Sequence, residues 1–258
     1  MATLHIRSNS LPSKSHPVLN NVEDLLCRLK SSEETSTSVC ADLANLRCLH
    51  EGIENMIQMP SIQQALAAED NEKWTNELLE ESLQLMDLCG FARDVLSLSK
   101  GSIQELQSTI RRSRGETIDA TNTYMASKKK IGKMVKKSIK NFKSFNRISA
   151  PIVGEDSDLD LKAVFDTLKE AAAFDFTVLK SVLMFLCGDE GRSKKRSWSL
   201  VSAIFSQPTK TTVDADAQNF LKQMKSSEVT IQELEDELEA FYRTLVKARV
   251  FLLNALTH

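Results

Sequence analysis

One long helix is predicted over residues 73–114, whose sequence is KWTNELLEESLQLMDLCGFARDVLSLSKGSIQELQSTIRRSR. Its apolar residues recur at intervals of three, four and seven, the spacing that lays a single stripe along an α-helix. They are Trp74, Leu78, Leu85, Cys89, Ala92, Leu96, Ile103, Leu106 and Ile110. A helix of about forty residues is roughly 60 Å long, and it cannot bury such a stripe by itself. Other helices must therefore lie along it, which predicts an all-α fold, an elongated bundle of long antiparallel helices.

The composition fits this architecture and excludes several classes of protein. With 8 Gly and 5 Pro among 258 residues, the chain suits long helices better than a turn-rich β fold. Its formal net charge is −2, so bulk electrostatics favours neither nucleic acid nor a membrane, and any basic contact surface must be local. The longest apolar run, residues 174–187, is broken by Asp175 and Lys180 and is too short to span a membrane. Five cysteines without a CxxC pair fit a reducing compartment, and we expect a cytoplasmic location, with a plastid or membrane association as the alternatives.

Residues 1–20 are predicted to form a disordered, serine-rich arm, and residues 21–258 a single helical domain. The arm contains no acidic side chain and two prolines. Arg7, Ser10 and Pro12 fit the R-S-x-S-x-P pattern that 14-3-3 proteins bind once the second serine is phosphorylated, which makes them a candidate phospho-docking site. An acid-free, hydroxyl-rich start also resembles an organelle transit peptide, so import and removal of the arm is the alternative.

Apolar periodicity predicts further helices on both sides of the central one. They are expected from Pro17, over about 39–59, after Pro60, over about 119–145, from about 157 to 186 and over about 230–256. A long connection is predicted over about 188–214, followed by a small separate helix that holds Phe220 and Met224. The apolar residues of the last helix keep mostly to a heptad, which indicates a coiled-coil-like seam.

The strongest charge anomaly lies in the helix that follows the central one. Between residues 128 and 147 there are nine Lys or Arg residues and no acid. The candidate basic surface consists of Lys128, Lys129, Lys130, Lys133, Lys136, Lys137, Lys140 and Lys143. Pairing of these lysines, inside the bundle, with twelve carboxylates in residues 155–170 and 228–239 is the favoured interpretation, at about 0 to 1 kcal/mol for each exposed pair. The alternative is a helix that lies on an anionic membrane surface, and nucleic acid is the least favoured partner.

No catalytic, cofactor-binding or metal-binding residues are predicted. The chain has no GxSxG motif, no glycine-rich phosphate loop and no HExxH motif. His50 lies near Cys48, but no third ligand accompanies them at metal-site spacing, so we interpret it as a satisfied or solvent-facing side chain. Gly90, inside the central helix, is interpreted as a point of close approach by a neighbouring helix. The protein is therefore not expected to be an enzyme, since an enzyme would need a deep polar pocket with converging carboxylates or His50.

Six segments carry more specific motifs, and together they span nearly the whole chain. They are RSNSLPSKSHP at 7–17, MIQMPSIQQAL at 56–66, KWTNELLEESLQLMDLCGFARDVL at 73–96, ELQSTIRR at 105–112, SKKKIGKMVKKSIK at 127–140 and KARVFLLNALTH at 247–258. These segments resemble a plant-specific family related to the BYPASS proteins of flowering plants. The resemblance implies a helical plant protein without an established enzymatic activity, and some relatives are implicated in root and shoot development. It carries over no catalytic or binding residues and no cofactor.

These observations lead to one interpretation and one alternative. We interpret the chain as a non-enzymatic protein that acts through protein partners in the regulation of root and shoot development. The alternative is a peripheral membrane or lipid-binding protein that uses the basic helix over residues 128–147.

Overall fold

The computed structural model describes residues 17–33, 38–68, 71–112, 118–142, 159–187 and 213–257. Within these ranges the chain forms seven α-helices and no strand. They are α1 Pro17–Glu33, α2 Val39–Ile57, α3 Pro60–Ala67, α4 Glu72–Arg112, α5 Ile118–Asn141, α6 Leu159–Cys187 and α7 Val213–Thr257. The predicted all-α fold is confirmed.

The central helix, α4, buries the stripe that its periodicity predicts. Eight of the nine predicted stripe residues are buried, and Trp74, the ninth, is partly buried with its ring 4.7 Å from the ring of Phe165. Four helices, α3, α5, α6 and α7, pack against α4. The 41 residues of α4 are thus covered along their length by other helices, as the burial of apolar surface requires.

The long helices alternate in direction along the chain. The ammonium group of Lys100 in α4 lies 2.6 Å from the carboxylate of Glu235 in α7. Arg93, which precedes Lys100 in α4, contacts Glu239, which follows Glu235 in α7, at 3.0 Å. The two helices are therefore antiparallel. Contacts between the other helices show that α1, α4 and α6 run in one direction and that α2, α5 and α7 run in the opposite direction. The antiparallel arrangement predicted for consecutive long helices is confirmed.

Four helices form the centre of the bundle, and three complete it. α7 fills the groove between α2 and α4, while α6 packs against the same two helices. α1 packs against α2 and α6, α5 packs against α4 and α6, and the short α3 packs mainly against α7. The basic helix α5 and the acidic helix α7 therefore lie against different sides of α4.

Local chemistry explains where two of the shorter helices begin. The hydroxyl of Ser38 accepts a hydrogen bond from the backbone N–H of Ala41 at 3.2 Å, which caps the start of α2. Pro60 occupies the first turn of α3, where its missing N–H is tolerated.

The interpretation of Gly90 as a point of close helix approach is wrong. A methyl group built on Gly90 would meet no atom within 4 Å, because this position faces an open groove. Close approach occurs instead at Gly52 of α2, where a Cβ atom would lie 3.3 Å from Cγ2 of Val22 in α1. The presence of a glycine in a helix does not by itself indicate whether another helix packs closely against that position.

Two predicted boundaries also differ from the structure. Helix α1 begins at Pro17 and buries Leu19, so residues 17–20 belong to the helical body and not to the predicted arm. The predicted small helix and the last helix are one continuous element, α7. Met224, which is fully buried, precedes the buried Ile231 by seven residues, so the apolar seam continues without a break.

Replacement of Leu96 by alanine tests the buried stripe of α4. Leu96 is fully buried, so Leu96→Ala is expected to lower the free energy of unfolding by about 2 to 5 kcal/mol. The matched control is Glu80→Ala on the exposed side of the same helix, which is expected to change it by less than about 0.5 kcal/mol. The measurement is urea denaturation followed by circular dichroism, and equal small losses in both variants would contradict this assignment of the core.

Candidate functional site

Five lysines that have no partner among the described residues lie on one side of α5. All five are exposed, and we call them the lysine face: Lys129, Lys130, Lys133, Lys137 and Lys140. At 3.6 residues per turn they occupy an arc of about 100° over about 17 Å of helix. The opposite arc holds Tyr124, Ile131, Val135 and Ile139, which are buried in the core. Since the apolar stripe is covered by α4 and α6, α5 presents its lysines directly outward.

Three other lysines of the predicted basic surface do not belong to the lysine face. Lys128 is half buried, and this burial lowers the pKa of its ammonium group, although the nearby Cys187 raises it. Lys136 is exposed, but it already interacts with another group of the protein. Lys143 lies outside the described residues. The arguments below therefore depend on the lysine face alone.

The acidic residues of α7 pair with helices other than α5. Glu235 contacts Lys100 of α4, and Glu239 contacts Arg93 of the same helix. Further contacts of α7 carboxylates with other helices include Glu237 with Arg47 of α2 at 3.8 Å and Glu228 with Gln104 of α4 at 2.6 Å. The predicted pairing of the basic helix with residues 228–239 is therefore wrong, because α7 lies in the α2–α4 groove and not beside α5.

The side chains of the other acidic segment are described from residue 162 onward. There Glu170 pairs with Lys30 of α1, and Asp166 is exposed. Within the described part of the chain, the lysine face makes no ion pair with either acidic segment. Its positive charge is thus left without a neutralising partner among the residues that the structure describes.

An open groove of about 640 Å³ runs between α4 and α7. It is lined by Gly90, Arg93, Asp94, Ser97, Glu235, Asp236 and Glu239. The guanidinium of Arg93 lies 5.8 Å from the ring centroid of Tyr242 and contacts the carboxylate of Glu239, so one wall is held by a cation–π contact and an ion pair. The lining contains no histidine or cysteine, and no group of three potential metal ligands occurs among the described residues.

A buried hydrogen bond joins His50 of α2 to Asp175 of α6 in the centre of the bundle. The ring N–H at Nε2 of His50 donates to Oδ2 of Asp175 over 2.7 Å, and both side chains are buried. The imidazole also meets the ring of Phe241 of α7 edge to face, with 5.1 Å between centroids. His50 is therefore a core histidine that is paired through Nε2, whereas its Nδ1 and the Oδ1 of Asp175 are buried without a hydrogen-bond partner among the described residues. Of the two interpretations from the sequence, the solvent-facing one is wrong, and the satisfied one holds for Nε2 alone.

A second polar cluster lies between α4 and α6. Lys169 contacts Glu77 at 3.1 Å, and Glu81, one turn further along α4, is buried with one carboxylate oxygen unpartnered. Burial raises the pKa of Glu81 from 4.5 to about 7; the positive charge of Lys169 lowers it, and the negative charge of Glu77 raises it. Glu81 is thus a buried carboxyl group that changes its charge near neutral pH.

Sequence reasoning missed both Asp175 and Glu81 as buried groups. The sequence did contain a signal for both residues, because each of them interrupts a series of apolar residues. Asp175 stands inside the apolar run over 174–187, and Glu81 lies between Leu78 and Leu85 on the stripe of α4. A charged residue at a stripe position indicates a buried partner, but the sequence does not say which helix supplies it.

Two further predictions concern the ends of the chain and the membrane. Arg7, Ser10 and Pro12, the candidate phospho-docking residues, lie outside the described residues, so this site stays a prediction. Among the helices that the structure describes, none has the length and apolar character needed to cross a bilayer.

Removal of the Asp175 carboxylate tests the buried pair. Asp175→Ala leaves the buried N–H of the His50 ring without its acceptor, so we expect a loss of about 1 to 3 kcal/mol in the free energy of unfolding. Asp166→Ala, at an exposed position of the same helix, is the control and should change stability by less than about 0.5 kcal/mol. Chemical denaturation at neutral pH measures both, and a loss as small as that of the control would show that the pair does not stabilise the bundle.

Replacement of Glu81 by glutamine tests the titration of the second cluster. Because the pKa of Glu81 is raised on folding, its favourable contribution is fully present below about pH 4.5 and is lost as the pH rises through about 7. Glu81→Gln should therefore match the wild type below pH 4.5 and exceed its free energy of unfolding by up to about 3 kcal/mol at pH 8. The exposed neighbour Glu80→Gln should show no such pH-dependent gain, and a difference that stays constant across the pH range would contradict the assignment.

Comparison with known proteins places most of the helical body, from α2 onward, in one family. The family model described as Protein BPS1 matches residues 42–255, which include α3 to α6, nearly all of α2 and all but the last residues of α7. No curated protein and no solved structure matches the chain. The match agrees with the resemblance seen in the sequence motifs, and it covers the lysine face as well as both buried clusters. The chain belongs to the BPS1 family of plant proteins.

Proposed function

We propose that this protein is a non-enzymatic helical protein that acts by docking, with the lysine face of α5 as its contact for an anionic surface. The observation that carries the proposal is the position of the five lysines, which are exposed, point away from the core and have no acidic partner among the described residues. Charged groups left without partners on one side of a helix raise the local potential and favour an oppositely charged contact. The surface is ready-made, because the opposite side of α5 is fixed in the bundle.

The wider role is part of the same proposal. We place the protein in the cytoplasm, where it acts through protein partners in the regulation of root and shoot development. Support for a non-enzymatic role comes from the sequence, which contains none of the catalytic motifs considered above. His50, the histidine of the helical body, is engaged with Asp175 in the core and does not face the groove between α4 and α7. Recruitment of a 14-3-3 protein to phosphorylated Ser10 stays a prediction of the sequence.

Complementation in the plant tests this function. In a plant that lacks the protein, the wild-type chain should restore normal root and shoot growth. A variant with Lys129, Lys130, Lys133, Lys137 and Lys140 replaced by glutamine should fail to do so, although it should fold normally because these side chains are exposed. Growth rate and protein abundance are the measurements.

The matched control carries the same change in charge elsewhere. It replaces five exposed lysines outside α5 by glutamine: Lys73, Lys180, Lys222, Lys225 and Lys247. This variant should restore growth as the wild type does. Normal growth of the plant without the protein would contradict the developmental role, and full restoration by the lysine-face variant would contradict the docking role of α5.

A further inference from the structure

We infer that the anionic surface bound by the lysine face is the headgroup layer of a phospholipid bilayer, on which the bundle lies without inserting apolar side chains. This inference rests on the proposed function and adds to it the chemistry of the partner and the mode of contact. It follows from the distribution of charge over the helices that the structure describes, from the burial of the apolar side of α5 and from the residue types of the lysine face.

The charge distribution orients the molecule. The formal net charge of −2 gives no general attraction to an anionic surface, so only a particular orientation can bind. The lysine face supplies that orientation, because the acidic residues 228–239 lie on α7, which packs in the α2–α4 groove and not beside α5. A bundle that approaches with α5 foremost therefore presents five positive charges first. This matches an extended anionic surface such as a bilayer that contains acidic lipids.

The apolar side of α5 is not available to a membrane. Cationic amphipathic helices usually bind bilayers by burying their apolar face among the lipid chains. In α5 that face is occupied, since Ile131, Val135 and Ile139 are buried against the rest of the bundle. Among the described side chains of α5, Met125, one turn before the lysine face, is the exposed large apolar one. The contact is therefore electrostatic, and its strength should depend on acidic lipid and on ionic strength.

The residue types of the lysine face fit lipid headgroups better than nucleic acid. Helix α5 contains no arginine, the side chain that grips phosphates through two parallel hydrogen bonds. Its one tyrosine, Tyr124, is buried, so no aromatic ring of the lysine face can stack on a base. Lysine is a compact point charge on a flexible stem, which suits the diffuse and mobile charge of a bilayer surface.

Vesicle co-sedimentation of the full chain tests this inference. The probes are vesicles of phosphatidylcholine alone and vesicles of phosphatidylcholine mixed with phosphatidylserine. The wild type should sediment with the mixed vesicles and not with the neutral ones. Since each lysine near an anionic surface contributes roughly a factor of five, the variant with all five lysines of the lysine face replaced by glutamine should bind at least about a hundredfold more weakly. Binding by the wild type should fall steeply as the ionic strength rises from about 0.1 M to about 1 M.

Two control variants test whether binding depends on the position of the lysines and on insertion of an apolar side chain. The variant with five exposed lysines replaced outside α5 has the same net charge as the lysine-face variant, and it should bind far more strongly than that variant. Met125→Gln should bind within about twofold of the wild type, because insertion is not used. Both should unfold at the same denaturant concentration as the wild type.

Several outcomes would overturn the inference. They are no binding of the wild type to the mixed vesicles, equal binding of the two five-lysine variants, equal binding of the wild type to neutral vesicles, and a loss in Met125→Gln as large as that in the lysine-face variant. A labelled RNA duplex, added as a competitor, should leave vesicle binding unchanged, and preferential binding to the duplex would also overturn it. If the lysine-face variant fails to restore plant growth while the wild type ignores the mixed vesicles, the docking function stands and the bilayer is the wrong partner. If that variant restores growth fully, the docking function itself fails, whatever the vesicles show.

Discussion

Burial of one apolar stripe along a 41-residue helix is the constraint on which the rest of this structure depends. A helix of that length, about 60 Å, gains stability only if its stripe is removed from water along its whole extent. No single helix of ordinary length can do this, so α3, α5, α6 and α7 each cover a part of α4. Consecutive helices joined by short connections, such as α1 with α2 and α4 with α5, must in addition run back along the one before.

This constraint also determines which charged side chains of α5 and α7 form pairs and which face the solvent. α7 must lie along α4 to bury its own seam, and its flanking carboxylates then meet Lys100 and Arg93 of α4 and Arg47 of α2. α5 must bury Ile131, Val135 and Ile139 on the other side of α4, and its lysines are consequently turned to the solvent. Because α7 packs mainly against α2 and α4 while α5 packs against α4 and α6, a chain with a formal net charge of only −2 presents a strongly basic surface among the residues that the structure describes. A local surface of this kind can recruit an anionic partner that the protein as a whole would not attract.

The buried polar groups add selectivity to a core that is otherwise apolar. His50 and Asp175 join α2 to α6 in the middle of the bundle, and a shifted pairing of these helices would leave both groups buried without a partner. Glu81 differs in that burial beside the Glu77–Lys169 pair raises its pKa, while one of its oxygens, like Oδ1 of Asp175, has no partner among the described residues. The stability of the α4–α6 contact should therefore respond to pH near neutrality. Both clusters lie within the residues that the BPS1 family model matches.

By itself the sequence determined the all-α class, the extent of the central helix to within two residues, and the side of that helix that is buried. It did so because apolar periodicity records directly which face of a helix leaves water. It also determined that α5 carries a run of lysines without acids. Only the tertiary structure decided whether those lysines would be neutralised, since a sequence pattern shows that a face is covered but not which helix covers it. The same reason explains why the pairing of residues 228–239 with α5 was wrong, why Gly52 and not Gly90 marks a close approach, and why the partners of Asp175 and Glu81 could not be foreseen.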